Sequence, residues 1–164
     1  MVKTGVSRIL IEGPDCSGKS TLINRIKNKL HWDAKLLHHI NGDQFERYLK
    51  EYASQNTVFG RGHISEIVYG KMWRNGNSFS VKEKELLDEF IKQKMLVIFV
   101  CPKLKTIKER YLKRNDDQQI KFNELRKSRD LFVKEFKNKK YILYEAKNYK
   151  ELEIVLKKIS EAIS

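Results

Sequence analysis

One segment near the N-terminus constrains this chain more than any other feature. Residues 12 to 21 read Glu-Gly-Pro-Asp-Cys-Ser-Gly-Lys-Ser-Thr, which is a complete G-x-x-x-x-G-K-[ST] pattern. The apolar run Ile9, Leu10 and Ile11 precedes it, and apolar residues at helical spacing follow it. The segment therefore joins a predicted strand to a predicted helix through a tight glycine-containing loop.

The residue types of this loop suit phosphate binding. Gly13 and Gly18 permit backbone angles that a Cβ would block, so successive N–H groups can turn inward and bind an anion at a helix N-terminus. Lys19 would reach the β- and γ-phosphates, and the hydroxyl of Ser20 would ligate Mg²⁺. We predict that a nucleoside triphosphate contacts Gly13, Asp15, Cys16, Ser17, Gly18, Lys19, Ser20 and Thr21.

Size and composition predict a single domain over residues 1 to 164. Hydrophobic residues make up 40% of the 164 residues, which is enough for a substantial core. The longest apolar run, residues 95 to 101, is too short to cross a membrane. Cys16 and Cys101 are too few for a disulfide framework and fit no metal-binding spacing. We expect a cytoplasmic protein, in the host cytoplasm if the chain is viral, with no membrane partner.

The charge is strongly positive and regional. The formal net charge is +13, and residues 103 to 140 contain 14 basic and 6 acidic residues. A basic lobe attracts polyanions, whether nucleotides or nucleic acid. A helix that turns its charged side chains to solvent would explain the same excess of basic residues equally well. A nucleic-acid partner therefore stays open without being favoured, as does a homodimer.

Five predicted strands alternate with helices along the chain. The strand candidates are residues 8 to 12, 34 to 40, 55 to 60, 95 to 101 and 141 to 144. The helix candidates after the loop helix are residues 43 to 53, 65 to 74, 81 to 93, 104 to 137 with a break at 115 to 117, and a closing helix from about 150. Ser80 and Glu83 form a predicted capping box. This alternation predicts an α/β fold, a P-loop three-layer sandwich with a five-stranded parallel sheet and helices on both faces.

Two absences narrow the chemistry. GTP-binding proteins read the base with an N-K-x-D tetrapeptide, and the sequence contains none. The apolar strand at residues 95 to 101 runs into Cys101 and Pro102 rather than into the acidic residue that supports Mg²⁺ in many ATPases. What remains is a compact phosphoryl-transfer enzyme.

Three ordered motifs carry a family resemblance. They are the loop GPDCSGKST, the segment GRGHISEIVYG at residues 60 to 70, and the segment KERYLKRNDD at residues 108 to 117. Together they resemble the thymidylate kinase family of P-loop nucleoside monophosphate kinases, above all the short virus-type deoxynucleotide kinases. The resemblance extends over residues 9 to 136.

The resemblance implies a reaction and a set of roles. In that family ATP, with Mg²⁺, phosphorylates a deoxynucleoside monophosphate, and thymidylate is the expected acceptor. Lys19 and Ser20 match the triphosphate and Mg²⁺ positions, and Asp15 matches a carboxylate that holds the 3′-hydroxyl of the acceptor sugar. Arg61 matches the arginine that pairs with the acceptor phosphate, for which a planar guanidinium is well suited. Tyr69 lies where an aromatic residue packs near the acceptor base.

The resemblance also implies a lid near residues 110 to 126. Arg110 and Arg114 are four residues apart on one predicted helix face, just before the break at 115 to 117. By the resemblance they would neutralise charge that develops during phosphoryl transfer. Lys19, Arg61, Arg110 and Arg114 are therefore the predicted catalytic residues.

The chain departs from the family pattern at three places. The family has aspartate directly before the arginine, whereas this chain has Gly60, so either Ser20 and the phosphates hold Mg²⁺ with water or a carboxylate such as Glu66 replaces the aspartate. The arginine segment that the cellular enzymes carry after the second strand is absent, and neither the loop, which has Cys16, nor the tip of the lid has the family's arginine. Two other functions stay open. A nucleoside or polynucleotide 5′-hydroxyl kinase would need a carboxylate base, for which Asp43 is the candidate. A nucleotide-binding module with little or no catalysis is the third.

Overall fold

The computed structural model describes residues 5 to 76, 78 to 114 and 120 to 164. Within them the strands are β1 (Arg8–Glu12), β2 (Asp33–Leu36), β3 (Thr57–Gly60), β4 (Leu96–Val100) and β5 (Ile142–Tyr144). The helices are α1 (Lys19–Leu30), α2 (Gln44–Tyr52), α3 (His63–Trp73), α4 (Val81–Lys94), α5 (Leu104–Lys113), α6 (Leu125–Phe136) and α7 (Tyr149–Ile163). A 3-10 turn at Phe122–Glu124 precedes α6.

The five strands form one parallel sheet in the order β2-β3-β1-β4-β5. The central strand β1 pairs Ile11 with Gly60 on one side and with Ile98 on the other. The carboxyl ends of β1 and β3 therefore lie side by side. This sheet, with helices on both faces, confirms the predicted fold class.

Two hydrophobic clusters cover the two faces of the sheet. Ile9 and Ile11 face the cluster formed with α1 and α7, whereas Leu10 faces the cluster formed with α2, α3, α4 and α6. This alternation follows from the two-residue period of a strand. Glu12 continues the period and therefore points to the same side as Leu10, toward α3.

Most predicted elements lie within a few residues of their observed bounds. The capping box of α4 is present: Glu83 N donates to Ser80 Oγ at 3.2 Å, and Ser80 N donates to Glu83 Oε2 at 2.8 Å. Helix α3 begins at His63, two residues earlier than predicted. The predicted break at 115 to 117, inside the predicted lid, lies outside the described residues.

The described helices include no candidate for a membrane span. None combines the length and the apolar character that crossing a bilayer requires.

Candidate active site

The loop between β1 and α1 makes a sharp turn that depends on glycine. Gly13 has a φ of 152° and Gly18 a φ of 99°, and both lie in a region that side chains disfavour. A Cβ on Gly13 would also collide with the carbonyl of Val100 at the end of β4. The loop therefore packs against the neighbouring strand and delivers Lys19 as the first residue of α1.

Lys19 holds its ammonium against the loop. Its Nζ donates to the carbonyls of Gly13 at 2.7 Å and Pro14 at 2.6 Å. Burial lowers the pKa of Lys19 to about 8, although the nearby carboxylate of Asp15 opposes this shift. A dianionic phosphate bound at the loop would stabilise the protonated form.

The loop forms one wall of a cleft of about 340 Å³. Of the predicted triphosphate contacts, all but Gly13 line this cleft. The lining residues are Asp15, Cys16, Ser17, Gly18, Lys19, Ser20, Thr21, Ile23, Leu36, His38, Gly60, Arg61 and Arg114. Ser20 and Thr21 are exposed on the first turn of α1, so their hydroxyls are accessible to a ligand.

Arg61 stands directly opposite the loop. Its Nη2 lies 2.7 Å from Asp15 Oδ1, which joins the end of β3 to the phosphate loop. Its φ is 65°, an uncommon value for a residue with a side chain. Such a conformation persists only where the surroundings fix it, and it concentrates at functional sites.

Buried side chains from three elements fix the turn that follows Arg61. Glu12, the last residue of β1, accepts hydrogen bonds from the backbone N–H and the hydroxyl of Ser65 in the first turn of α3. The hydroxyl of Tyr52 accepts the N–H of His63 at 2.9 Å and contacts His63 Nδ1 at 3.0 Å. These contacts cap the free N–H groups at the start of α3, which explains its early beginning.

His63 continues this buried network outward. Its Nε2 lies 2.8 Å from Asp88 Oδ1, and Asp88 Oδ2 also accepts from Lys84 and Lys139. Burial lowers the pKa of His63, although its hydrogen bond to Asp88 opposes this shift. Glu12 and this network were not predicted from the sequence. The one signal for Glu12 was a carboxylate at the carboxyl end of a predicted central strand.

A second cleft of about 210 Å³ adjoins the first. The two clefts share His38 and Arg61. The lining residues of the second are Leu37, His38, His39, Arg61, Ser65, Glu66, Tyr69, Trp73 and Arg74. The rings of Tyr69 and Trp73 stack at 4.9 Å between centroids and 15° between planes, and they give the cleft a flat aromatic wall.

Tyr69 joins this wall to Arg61 and Asp15. The guanidinium of Arg61 lies over the Tyr69 ring, 5.4 Å from its centroid. Burial, reinforced by the charge of Asp15, raises the pKa of Tyr69 well above its usual value. The buried Tyr69 hydroxyl interacts with the carboxylate of Asp15, and this contact adds to the raised pKa.

Glu66 lies at the floor of the second cleft, where one of its oxygens accepts three hydrogen bonds. Its Oε1 accepts from Arg74 at 2.8 Å, His39 at 2.9 Å and Ser78 at 3.2 Å. Glu66 does not line the first cleft, where Ser20 lies. Its role as a Mg²⁺ ligand stays a prediction, and the described residues contain no cluster of three metal-ligating side chains.

Two further predicted site residues make contacts of their own. Arg110 donates to the carbonyls of Ser17 at 2.6 Å and Ala146 at 3.1 Å, so its guanidinium braces the backbone of the phosphate loop. Asp43 caps α2 by accepting the N–H of Glu46 and lines neither cleft. The catalytic role of Arg110 and the acceptor contact of Asp43 stay predictions.

Arg114 does reach the cleft. Its Nη1 lies 3.5 Å from the sulfur of Cys16, at the mouth of the phosphate loop. The segment that follows it, 115 to 119, lies outside the described residues. Both predicted lid arginines therefore contact the phosphate loop, Arg110 at Ser17 and Arg114 at Cys16.

The glycine before Arg61 lies against two flexible side-chain ends. A Cβ at Gly60 would lie 2.6 Å from both Ile23 Cδ1 and Leu36 Cδ2, and Leu36 is 56% exposed, so a side chain there requires only that these methyl groups shift. Asp15 is the acidic residue that lines the first cleft in the described chain. The donors available for Mg²⁺ are therefore the Ser20 hydroxyl, the bound phosphates and water, with Asp15 nearby, a set of hard oxygen ligands that fits this ion.

Comparisons with known proteins identify the fold. No family model matches the chain. The SPbeta prophage-derived uncharacterized protein YorR of Bacillus subtilis strain 168 is 26% identical over 115 residues, which cover 66% of this chain and 70% of that protein. The crystal structure of YorR in complex with phosphorylated GDP superposes with a TM-score of 0.80 at 21% identity and covers 94% of both chains.

Two kinases show the same architecture at greater distance. Deoxyadenosine kinase from M. mycoides with bound dCTP has a TM-score of 0.63 at 18% identity, over 94% of this chain and 99% of that one. Shikimate kinase from Bacteroides thetaiotaomicron has a TM-score of 0.60 at 15% identity, over 95% and 97%. The chain has the fold of P-loop kinases, and at these identities the similarity establishes the fold alone.

Proposed function

We propose that this protein transfers the γ-phosphoryl group of ATP to a deoxynucleoside monophosphate. The observation that carries the proposal is the position of Arg61, which lines both clefts and pairs with Asp15 at their junction. A cation between a triphosphate loop and a second, aromatic-walled cleft suits a reaction between two anionic ligands.

On the donor side, the loop N–H groups and Lys19 hold the β- and γ-phosphates. The Ser20 hydroxyl would hold Mg²⁺, which would supply positive charge to the bound phosphates. Arg114, beside Cys16, lies where it stabilises charge on the transferring group. Positioning and electrostatic stabilisation account for nearly all of the catalysis in such transfers.

On the acceptor side, Arg61 binds the acceptor phosphate with its planar guanidinium, and Asp15 accepts a hydrogen bond from the acceptor sugar. His38, His39 and Arg74 add basic groups to the second cleft. A monophosphate acceptor is itself an anion, so no carboxylate base is needed to activate it. The stacked Tyr69 and Trp73 provide a flat surface for a nucleobase.

The comparisons support a nucleotide ligand without choosing the base. YorR was crystallised with phosphorylated GDP, and the M. mycoides deoxyadenosine kinase with dCTP and with dATP. The family resemblance makes thymidylate the first acceptor to test, and the chemistry of the second cleft bears on that choice.

The test is direct detection of the diphosphate product. ATP, Mg²⁺ and each deoxynucleoside monophosphate are incubated with the protein, and the nucleotides are separated by ion-exchange chromatography. Arg61→Ala should lower kcat/KM about a hundredfold, the usual effect of removing one electrostatic contact to the transition state. Arg126→Ala, an exposed arginine on α6, is the matched control. Absence of every deoxynucleoside diphosphate would refute the proposal.

A hydroxyl kinase is the second candidate, and Asp15 is the observation that favours it. Its carboxylate lines the first cleft beside Arg61, where it could accept a proton from an acceptor hydroxyl. The same assay with deoxynucleosides and 5′-hydroxyl oligonucleotides separates the two functions. Nucleotide binding without any transfer would instead identify a binding module.

A further inference from the structure

We propose that Glu66 selects an acceptor whose base carries an amino group at the position of cytosine N4 or adenine N6, so that cytosine or adenine is accepted in preference to thymine or uracil. This inference rests on the proposed function, since it identifies the base that the second cleft reads. It departs from the thymidylate that the family resemblance implies.

The hydrogen bonds of Glu66 leave one of its oxygens available. Its side chain is only 2% exposed, and Arg74, His39 and Ser78 all donate to Oε1. Within the described residues Oε2 accepts no hydrogen bond, and it is not among the buried unsatisfied atoms of those residues. The second cleft thus presents one strong acceptor at its floor.

Polar groups surround the same cleft. The Tyr69 hydroxyl interacts with the carboxylate of Asp15, and the Nε of Arg74 is buried without a partner in the described chain. Tyr69 is only 4% exposed. Glu66 Oε2 is therefore the acceptor that this cleft offers to a ligand.

A carboxylate oxygen distinguishes bases by whether a hydrogen-bond donor or an acceptor of the base lies opposite it. Cytosine presents its N4 amino group and adenine its N6 amino group, whereas thymine presents the O4 carbonyl at the corresponding position. A glutamate accepts from the amino group of cytosine but has no hydrogen to share with a carbonyl. The carbonyl base would set two acceptors against each other in a buried site, and this repulsion provides selectivity.

The stacked wall orients the base for this contact. Tyr69 and Trp73 lie one helical turn apart on α3, and Glu66 lies one turn before Tyr69 on the same helix. In the proposed pose the base packs against the exposed side of this stack, at Trp73, with its edge toward Glu66 and its sugar and phosphate toward Asp15 and Arg61.

Matched monophosphates isolate the amino group. The nucleotides dCMP and dUMP carry an amine or a carbonyl at position 4, and dAMP and dIMP carry an amine or a carbonyl at position 6; in each pair the adjacent ring nitrogen changes from an acceptor to an N–H donor. Initial rates with saturating ATP and Mg²⁺ give kcat/KM for each acceptor. We expect the amino member of at least one pair to be favoured roughly tenfold or more, the effect of one good charge-assisted hydrogen bond.

Glu66→Gln then tests the residue. The amide offers both a donor and an acceptor, so the preferred pair should converge toward a ratio of about one. Glu161→Gln makes the same carboxylate-to-amide change on an exposed position of α7 and should keep the wild-type ratio. If Glu66→Gln loses turnover, the dissociation constants of the same pair supply the ratio.

The outcomes separate this inference from the proposed function. A strong amino preference in the wild type that is lost in Glu66→Gln supports it. Equal or better use of dUMP and dIMP, or a preference that persists in Glu66→Gln, overturns it. If no monophosphate is phosphorylated, the proposed function fails, and calorimetric binding of dCMP against dUMP still decides how the base is read.

Discussion

Nucleotide binding should take up a proton, because Lys19 enters the reaction partly deprotonated. Burial lowers the pKa of Lys19 to about 8 in the free protein. Bound phosphates favour the ammonium form and raise that pKa. The free protein therefore acquires a proton on binding whenever the pH lies near or above 8.

The size of the effect follows from this pKa. The neutral fraction of Lys19 is about 0.2 at pH 7.5 and about 0.9 at pH 9, so those are the expected numbers of protons bound per nucleotide. Over the same interval the dissociation constant should rise about eightfold, since only the protonated fraction binds well. Affinity is retained below the free-state pKa and lost as the pH rises through it.

Isothermal titration calorimetry measures this uptake directly. A non-hydrolysable ATP analogue with Mg²⁺ is titrated at both pH values in buffers of different ionisation enthalpy, and the slope of the observed enthalpy gives the protons bound. Lys19→Arg keeps a permanent charge and should abolish the uptake. A Cys16→Ser background removes the loop thiol as another source of protons. Uptake that is absent at pH 9, or unchanged in Lys19→Arg, would refute the reasoning.

Three other features give measurable predictions. Gly60→Asp should lower the free energy of unfolding by about 1–3 kcal/mol, because a carboxylate would enter a buried position while the methyl groups of Ile23 and Leu36 shift; a urea midpoint equal to that of the wild type would contradict this. Maleimide labelling of Cys16 should slow in the presence of ATP and Mg²⁺, with the buried Cys101 as an internal control in the mass spectrum; equal labelling with and without ATP would argue against ligand contact at the loop. The pKa of His63 is lowered in the folded protein, so on acidification the unfolded chain binds a proton at His63 before the folded protein does. The free energy of unfolding should therefore fall as the pH drops below about 6.5, and Asp88, whose pKa is also lowered, should add a further loss below about pH 4. A free energy of unfolding, measured with urea, that is constant from pH 7.5 to 5 would contradict the burial of His63.

The sequence predicted those parts of the molecule that depend on local rules. The loop at residues 12 to 21 combines a strand, two glycines and a helix start, and each of these has a signature within a few residues. The capping box of Ser80 and Glu83 is local in the same way. The continuous apolar run at residues 95 to 101 indicated a buried strand, which became β4.

The parts that could not be predicted depend on contacts between distant residues. Arg110 matched a lid arginine by spacing, but its partner Ser17 lies 93 positions earlier, and only the fold shows that the guanidinium is engaged by the loop backbone. Asp43 follows β2, as a catalytic base might, and the fold shows that it caps α2. Glu66 was suggested as a metal ligand because it is acidic. Its three hydrogen-bond donors are His39 between β2 and α2, Arg74 directly after α3 and Ser78 before α4, and only the fold brings them together.

Glu12 was not predicted as a site residue for the same reason. It directly precedes the loop and was not singled out, because its importance arises from the α3 residues it caps. The strained turn at Arg61 depends on that cap and on Tyr52, neither of which is adjacent to it in sequence. The pairing of Arg61 with Asp15, predicted only as two separate roles, is the feature that joins the two clefts.

The central claim is that two nucleotides meet at Arg61, and direct observation of the transferred phosphate tests it most sharply. With γ-³²P-labelled ATP, the protein should convert at least one unlabelled deoxynucleoside monophosphate to a labelled diphosphate, and Arg61→Ala should reduce the rate about a hundredfold while Arg126→Ala does not. Label that appears only in inorganic phosphate or in a nucleoside monophosphate, or a labelled diphosphate that forms equally fast in Arg61→Ala, would contradict it.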